Sequence, residues 1–101
     1  MSKTVMYIEF KLKKNACVSD FLASAKKLND EYMSKQKGYL SWQQLVTDEK
    51  IWADVITWKT MEDAKAIFNP SDENPLAEEF YSFINMMSCK VRLYSIEKDY
   101  K

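Results

Sequence analysis

Apolar side chains along this chain recur first at every second position, then at every third or fourth, and the two periods alternate to the C-terminus. Thr4 to Leu12 reads TVMYIEFKL, a predicted strand with Met6, Ile8, Phe10 and Leu12 on one side and Val5, Tyr7, Glu9 and Lys11 on the other. Over its first half both sides are apolar. Phe21, Leu22, Ala25, Leu28, Tyr32 and Met33 then follow helical spacing, predicting a helix through about Gln36. Ser19 is the expected N-cap, with Asp20 in the first turn, where the helix dipole favours a carboxylate, and Val18 placed as a hydrophobic staple. Gly38, the one glycine, follows the last turn and suits a left-handed cap.

Tyr39–Thr47 and Ile51–Trp58 read as two strands joined by the polar connection Asp48-Glu49-Lys50. Thr60 is positioned to cap a second helix with Met61, Ala64, Ile67 and Phe68 on its apolar side. The polar segment Asn69 to Pro75 interrupts that helix, either as a plain break or as a loop gating a pocket mouth. Asn74 and Pro75 are suited to cap and restart it, and Leu76, Phe80, Phe83, Ile84 and Met87 extend its apolar face. Ser88 to Lys98 reads as the last strand. The order β-α-β-β-α-β predicts an α+β, ferredoxin-like fold, one four-stranded antiparallel sheet with both helices on one face.

The other face should be solvated, yet it must carry Tyr7, Trp42 or Leu45, and either Trp52 and Trp58 or Val55. A second copy of the chain is the simplest cover, so a homodimer is expected. With 101 residues the chain fits a single domain. Fifteen basic and fifteen acidic residues cancel, which argues against a nucleic-acid partner. No run of about 18 apolar residues predicts a membrane span, and no leader is evident, so a cytoplasmic location is expected. Cys17 and Cys89 make neither a metal spacing nor a disulfide framework, although the topology brings the two ends of their strands close. Histidine is absent, which removes the commonest general base and the commonest zinc and haem ligand together. No metal and no cofactor are expected.

Several segments together resemble the dimeric α/β-barrel group that includes the antibiotic-biosynthesis monooxygenases. These are Glu9-Phe10-Lys11-Leu12-Lys13, Lys37-Gly38-Tyr39-Leu40-Ser41-Trp42, Trp58 with Met61-Glu62-Asp63-Ala64, and Asn74-Pro75-Leu76. The resemblance implies a homodimer of paired sheets with a ligand cavity between each sheet and its helices. Haem-degrading members of that group need a histidine on the second helix, which this chain lacks. Cofactor-free oxidation of an activated aromatic, or ligand binding without catalysis in a stress-associated module, remains.

Asp54 is the candidate catalytic residue, because strand parity places it beside Trp52, Ile56 and Trp58. A carboxylate among aromatics has its charged form disfavoured, which suits a proton acceptor. The plainer alternatives are an ion pair with Arg92 or Lys90, or a solvated place at the sheet rim. Trp42, Trp52 and Trp58 are candidate walls for a flat ligand, or core and interface fillers. Tyr32, Phe80 and Phe83 are further candidate ligand contacts, and Tyr81 and Tyr94 are further possible hydrogen-bond donors. Arg92, the sole arginine, can clamp a ligand oxyanion, or more simply pair across a subunit interface.

Overall fold

The first strand, β1 (Thr4–Leu12), sits inside the sheet and needs a partner on each edge. It finds β3 (Trp52–Trp58) on one side and β4 (Ile84–Ser95) on the other, both antiparallel. β2 (Tyr39–Val46) adds to the far edge of β3, giving a sheet in the order β2-β3-β1-β4. The helices α1 (Val18–Glu31), α2 (Met61–Ala66) and α3 (Pro75–Tyr81) supply the second layer. This is the α+β, ferredoxin-like arrangement, described by a computed structural model for residues 2–68 and 74–101. Positions 69–73, most of the expected helix interruption, lie outside the described residues.

Register decides the layering. Met6, Phe10, Trp52, Ile56 and Trp58 are all buried beneath the helices, so the even-numbered side chains of β1 and β3, with Trp42 and Gln44 of β2, face the core. Phe21 of α1 is completely buried and ties the layers together. Its ring meets Phe10 and Trp52 edge-on at 5.9 and 5.2 Å and stacks on Phe80 of α3 at 5.1 Å. Aromatic pairs at such spacings add about 0.5–1.5 kcal/mol each beyond their buried area. The opposite face carries Val5, Tyr7, Glu9, Leu45, Val55, Lys90, Arg92 and Tyr94. All three tryptophans lie on the helix side, so the outer face is apolar through Leu45 and Val55 and not through indoles.

Local signals held where a side chain can satisfy the backbone. Thr60 Oγ1 accepts from Asp63 N at 3.0 Å, and Asn74 Oδ1 accepts from Leu76 N and Ala77 N at 3.1 and 3.3 Å ahead of Pro75. The β2–β3 connection closes through Thr47, whose N–H donates to the Ile51 carbonyl at 2.9 Å while Lys50 takes a φ of 68°.

Three expectations differ. The helix α1 begins at Val18 after an extended Cys17, with no side-chain cap, so Ser19 lies inside the first turn. Val18 and Leu22 are exposed and form no staple. The helix stops at Glu31, and a 3₁₀ turn over Met33–Lys35 buries Met33.

The largest difference is in β4, which starts at Ile84 and not at Ser88. Apolar residues from Phe80 to Met87 read as well on a helix as on a strand, but the second half of β1 has ladder groups that must be paired. Ile84 opposite Leu12 and Asn85 opposite Lys11 pair them, and the core gains Ile84 while Met87 is left 98% exposed. A bulge absorbs the mismatch, with Lys11 N donating to Ser88 Oγ at 2.8 Å. β2 carries a smaller irregularity between Tyr39 and Ser41.

Gly38 has the left-handed φ of 80° expected of it, but it serves the entry to β2 and not a helix cap. Its carbonyl accepts from Lys59 N at 2.8 Å, drawing the start of β2 to the end of β3. A Cβ at this position would overlap the carboxyl and Cβ of Asp63. Gly38→Ala therefore combines left-handed strain with overlap in α2, and is expected to cost about 2 kcal/mol in urea unfolding. An unchanged midpoint would show that α2 gives way freely.

A candidate active site around Asp54

Between the sheet and the helices lies a cavity that offers about 80 Å³ to the centres of water-sized molecules. On that measure one water needs about 10–15 Å³, so the space exceeds a packing defect. Met6, Ile8, Phe10, Ile56 and Ile84 form its sheet side, and Leu28, Met33, Ile67 and Phe80 its helix side. Phe68 and Tyr81 also line it and are each about half exposed, which places its open side between them.

Into this apolar space the pleat of β3 directs one carboxylate. Asp54 is 2% exposed, flanked in its own strand by Trp52 and Ile56. It opposes Gln44 of β2 in register, and Gln44 Nε2 donates to Oδ1 at 3.2 Å. Burial pushes the Asp54 pKa up to about 6, with Gln44 and then Trp42 acting in the opposite sense. The Trp42 indole N–H is shut away from water and finds no acceptor at hydrogen-bonding geometry, yet it lies near enough to favour the charged carboxylate. It is a donor held beside an acid, with room between them and the cavity.

Tyr81 and Cys89 complete the polar set. Tyr81 is half exposed as a residue, but its phenol is withdrawn from water: burial raises its pKa, and Cys89, Asp54 and Tyr32 add to the rise. Burial likewise raises the Cys89 thiol, with Asp54 contributing, so it stays protonated at neutral pH. Cys17 is exposed and distant in role, and both cysteines are free.

Asp54, Trp42 and Phe80 thus share the cavity wall. Trp52 and Trp58 do not reach it. They lie nearer the two ends of β3, packed against Phe21 and Tyr39 at 5.2 and 5.9 Å, where the core has no gap. Phe83 meets Phe21 edge-on at 6.0 Å in the same packed region, and Tyr32 packs against the core without lining the cavity. Arg92 sits opposite Tyr7 on the outer face of the sheet, so neither it nor Lys90 can pair with Asp54. Tyr81, one of the possible donors, does line the cavity, whereas Tyr94 lies on the outer face; Gln44 and Cys89 are additions to the site. Gln44 was findable, because counting outward from Asp48-Glu49-Lys50 sets it across from Asp54. Cys89 was not, since its parity depends on the β4 bulge. Among the described residues no cluster of three acidic, cysteine or histidine side chains could hold a metal ion, and no helix is long and apolar enough to cross a membrane.

Solved structures share this architecture from end to end. SnoaB from Streptomyces nogalater, a cofactor-independent oxygenase, superposes with a TM-score of 0.78 over 98% of this chain and 97% of its own, at 9% identity. The chain has the antibiotic-biosynthesis-monooxygenase fold. A Bordetella bronchiseptica protein provisionally named for that activity matches with a TM-score of 0.77 at 11% identity, covering 93% and 96% of the two chains. NE2512 of Nitrosomonas europaea, of unknown function, matches with a TM-score of 0.69 at 16% identity, covering 100% and 95%. No family model matches the sequence, and no curated protein does. At such identities the likeness is one of fold, and what the site does must be argued from its side chains.

The raised pKa of Asp54 has a thermodynamic signature. The folded state binds this proton more tightly than the unfolded chain, whose carboxyl titrates near 3.8. The Asp54 contribution to stability is therefore fully present below about pH 4, is lost as pH rises through about 6, and is absent above it. A difference of about two units corresponds to roughly 3 kcal/mol. Asp54→Asn should remove that slope and raise stability at neutral pH by about 2–3 kcal/mol, as read from urea midpoints across pH. A wild-type profile with no slope in this window would show that Asp54 is solvated.

Proposed function

We propose that the protein is a homodimer that binds a small hydroxylated aromatic molecule in the Asp54 cavity and oxidises it without a cofactor. The observation that carries this reading is a buried carboxylate, with a pKa of about 6, facing an apolar cavity of about 80 Å³ that opens between Phe68 and Tyr81. In this scheme the Asp54 carboxylate takes the proton of the substrate hydroxyl. The Trp42 N–H and the Tyr81 phenol are the donors available to the oxyanion so formed, the part for which Arg92 lies on the wrong face. The electron-rich anion bonds to dioxygen through a ring carbon and, taking a proton back from Asp54, becomes a ring hydroperoxide. Loss of water across its O–O and C–H bonds leaves a quinone, so the substrate supplies all four electrons and no external reductant is needed. The fold shared with SnoaB, a cofactor-independent oxygenase, supports the same reading.

The dimer rests on the outer face, where Val5, Tyr7 and Val55 are half-buried, Tyr94 and Leu45 stand exposed, and Glu9, Lys90 and Arg92 lie among them. Apolar centres with complementary charges suit a self-complementary two-fold contact.

Oxygen uptake with a dihydroxy-aromatic substrate tests the chemistry. Wild type should show kcat/KM rising with pH to a plateau above about 6, and Asp54→Asn should lose about 10²–10⁴-fold. Binding without oxygen uptake in wild type would leave a non-catalytic ligand carrier, and undiminished turnover in Asp54→Asn would remove Asp54 from the mechanism. Sedimentation at micromolar concentration should give a dimer for wild type and a folded monomer for Val55→Asp. A wild-type monomer would contradict the covered-face argument.

A further inference from the structure

Every ionisable side chain that reaches the cavity is acidic in character. Asp54 enters from β3, the Cys89 thiol from β4 and the Tyr81 phenol from α3, with Tyr32 close behind. Gln44 and Trp42, from β2, are neutral. No lysine or arginine lines the space among the described residues, and positions 69–73 contain no basic residue to supply one. Arg92 lies across the sheet, separated from the cavity by its full thickness.

We infer that Asp54 is the specificity-determining residue of this cavity as well as its base, admitting uncharged hydroxy-aromatics and rejecting ligands that carry a carboxylate, sulfonate or phosphate. This rests on the ligand-binding reading above and adds a charge selection to it. The reason is electrostatic. An anionic ligand would place a second negative charge beside a buried one, with no cation to compensate either. Its cheapest way in is for Asp54 to take up a proton first. A neutral phenol has no such barrier, and its hydroxyl can donate to the carboxylate directly.

The size of the discrimination follows from the titration of that one group. With Asp54 titrating at about 6, a medium at about pH 7.5 lies one and a half units above it. Obligatory proton uptake then weakens anion binding about 30-fold, and the penalty changes tenfold per pH unit above the pKa and vanishes below it. Tyr81 and Cys89 remain neutral throughout this range, because their ordinary values lie higher and both shifts are upward.

Phenol and benzoate make a matched pair of probes, one ring with a neutral or an anionic substituent. Titration is followed by NMR through the indole N–H signal of Trp42, identified with Trp42→Phe, in wild type and Asp54→Asn at about pH 5 and pH 7.5. Phenol should bind wild type at both values. Benzoate should bind about 30-fold more weakly at the higher pH than at the lower. In Asp54→Asn that pH dependence should disappear, leaving benzoate affinity at its low-pH value. Benzoate affinity in wild type that does not change with pH, or that changes equally in Asp54→Asn, would overturn the charge selection while leaving the cavity reading standing. Failure of both probes to move the Trp42 signal under all conditions would overturn the cavity reading and this inference with it.

Discussion

The pleat of β3 is the constraint on which the site depends. Side chains along a strand alternate, so Trp52, Asp54, Ile56 and Trp58 must go to the same side together. Burying Trp52, Ile56 and Trp58 is worth about 1.5–3 kcal/mol apiece, whereas desolvating Asp54 costs about 3. The three apolar residues outvote the acid. No slip of one residue can return Asp54 to water without turning both indoles out of the core, and the registers with β1 on one side and β2 on the other lock the choice. A carboxylate held in an apolar layer against its own preference is a group prepared for proton transfer, and the fold maintains it without any nearby cation.

The same arithmetic explains how an architecture shared at 9–16% identity with solved structures is compatible with different chemistry. What the fold requires is bulk at alternate positions of the sheet and along one stripe of each helix. It does not require any particular polar residue at the middle of β3. The layered fold is therefore what is shared, while the acid, the amide that steadies it and the unpaired indole N–H are described for this chain.

Much of this was legible in the chain. The periods of two and three to four located the strands and helices, and Thr60, Asn74 with Pro75, and Gly38 marked junctions because each has one physical job its residue type does well. Strand parity alone puts Asp54 on one side with Trp52, Ile56 and Trp58. The absolute face was not legible, because Val5, Tyr7, Leu45 and Val55 make the outer side apolar enough to compete as core. Nor was the start of β4, since Phe83 to Met87 satisfies either period and only the needs of the second half of β1 decide between them. Cys89 reaches the site through that same late strand, so it was hidden with it, and Tyr81 could be named as a donor but not placed. Trp52 and Trp58 lie outside the cavity lining and pack against Phe21 and Tyr39, the second of the two readings their sequence allowed.

The two irregularities in the ladder bear on how such molecules assemble. β2 and β4 are the free edges of the sheet, and an even, uninterrupted edge invites another chain to add as a further strand without limit. β4 is broken by its bulge near Ser88, and β2 is interrupted near Leu40. Neither edge offers a long straight template. The outer face, in contrast, is unbroken, and under the dimer proposed above it would be covered once and the assembly closed. Bulges that look like defects in the pairing leave the free edges poor templates for fibre growth.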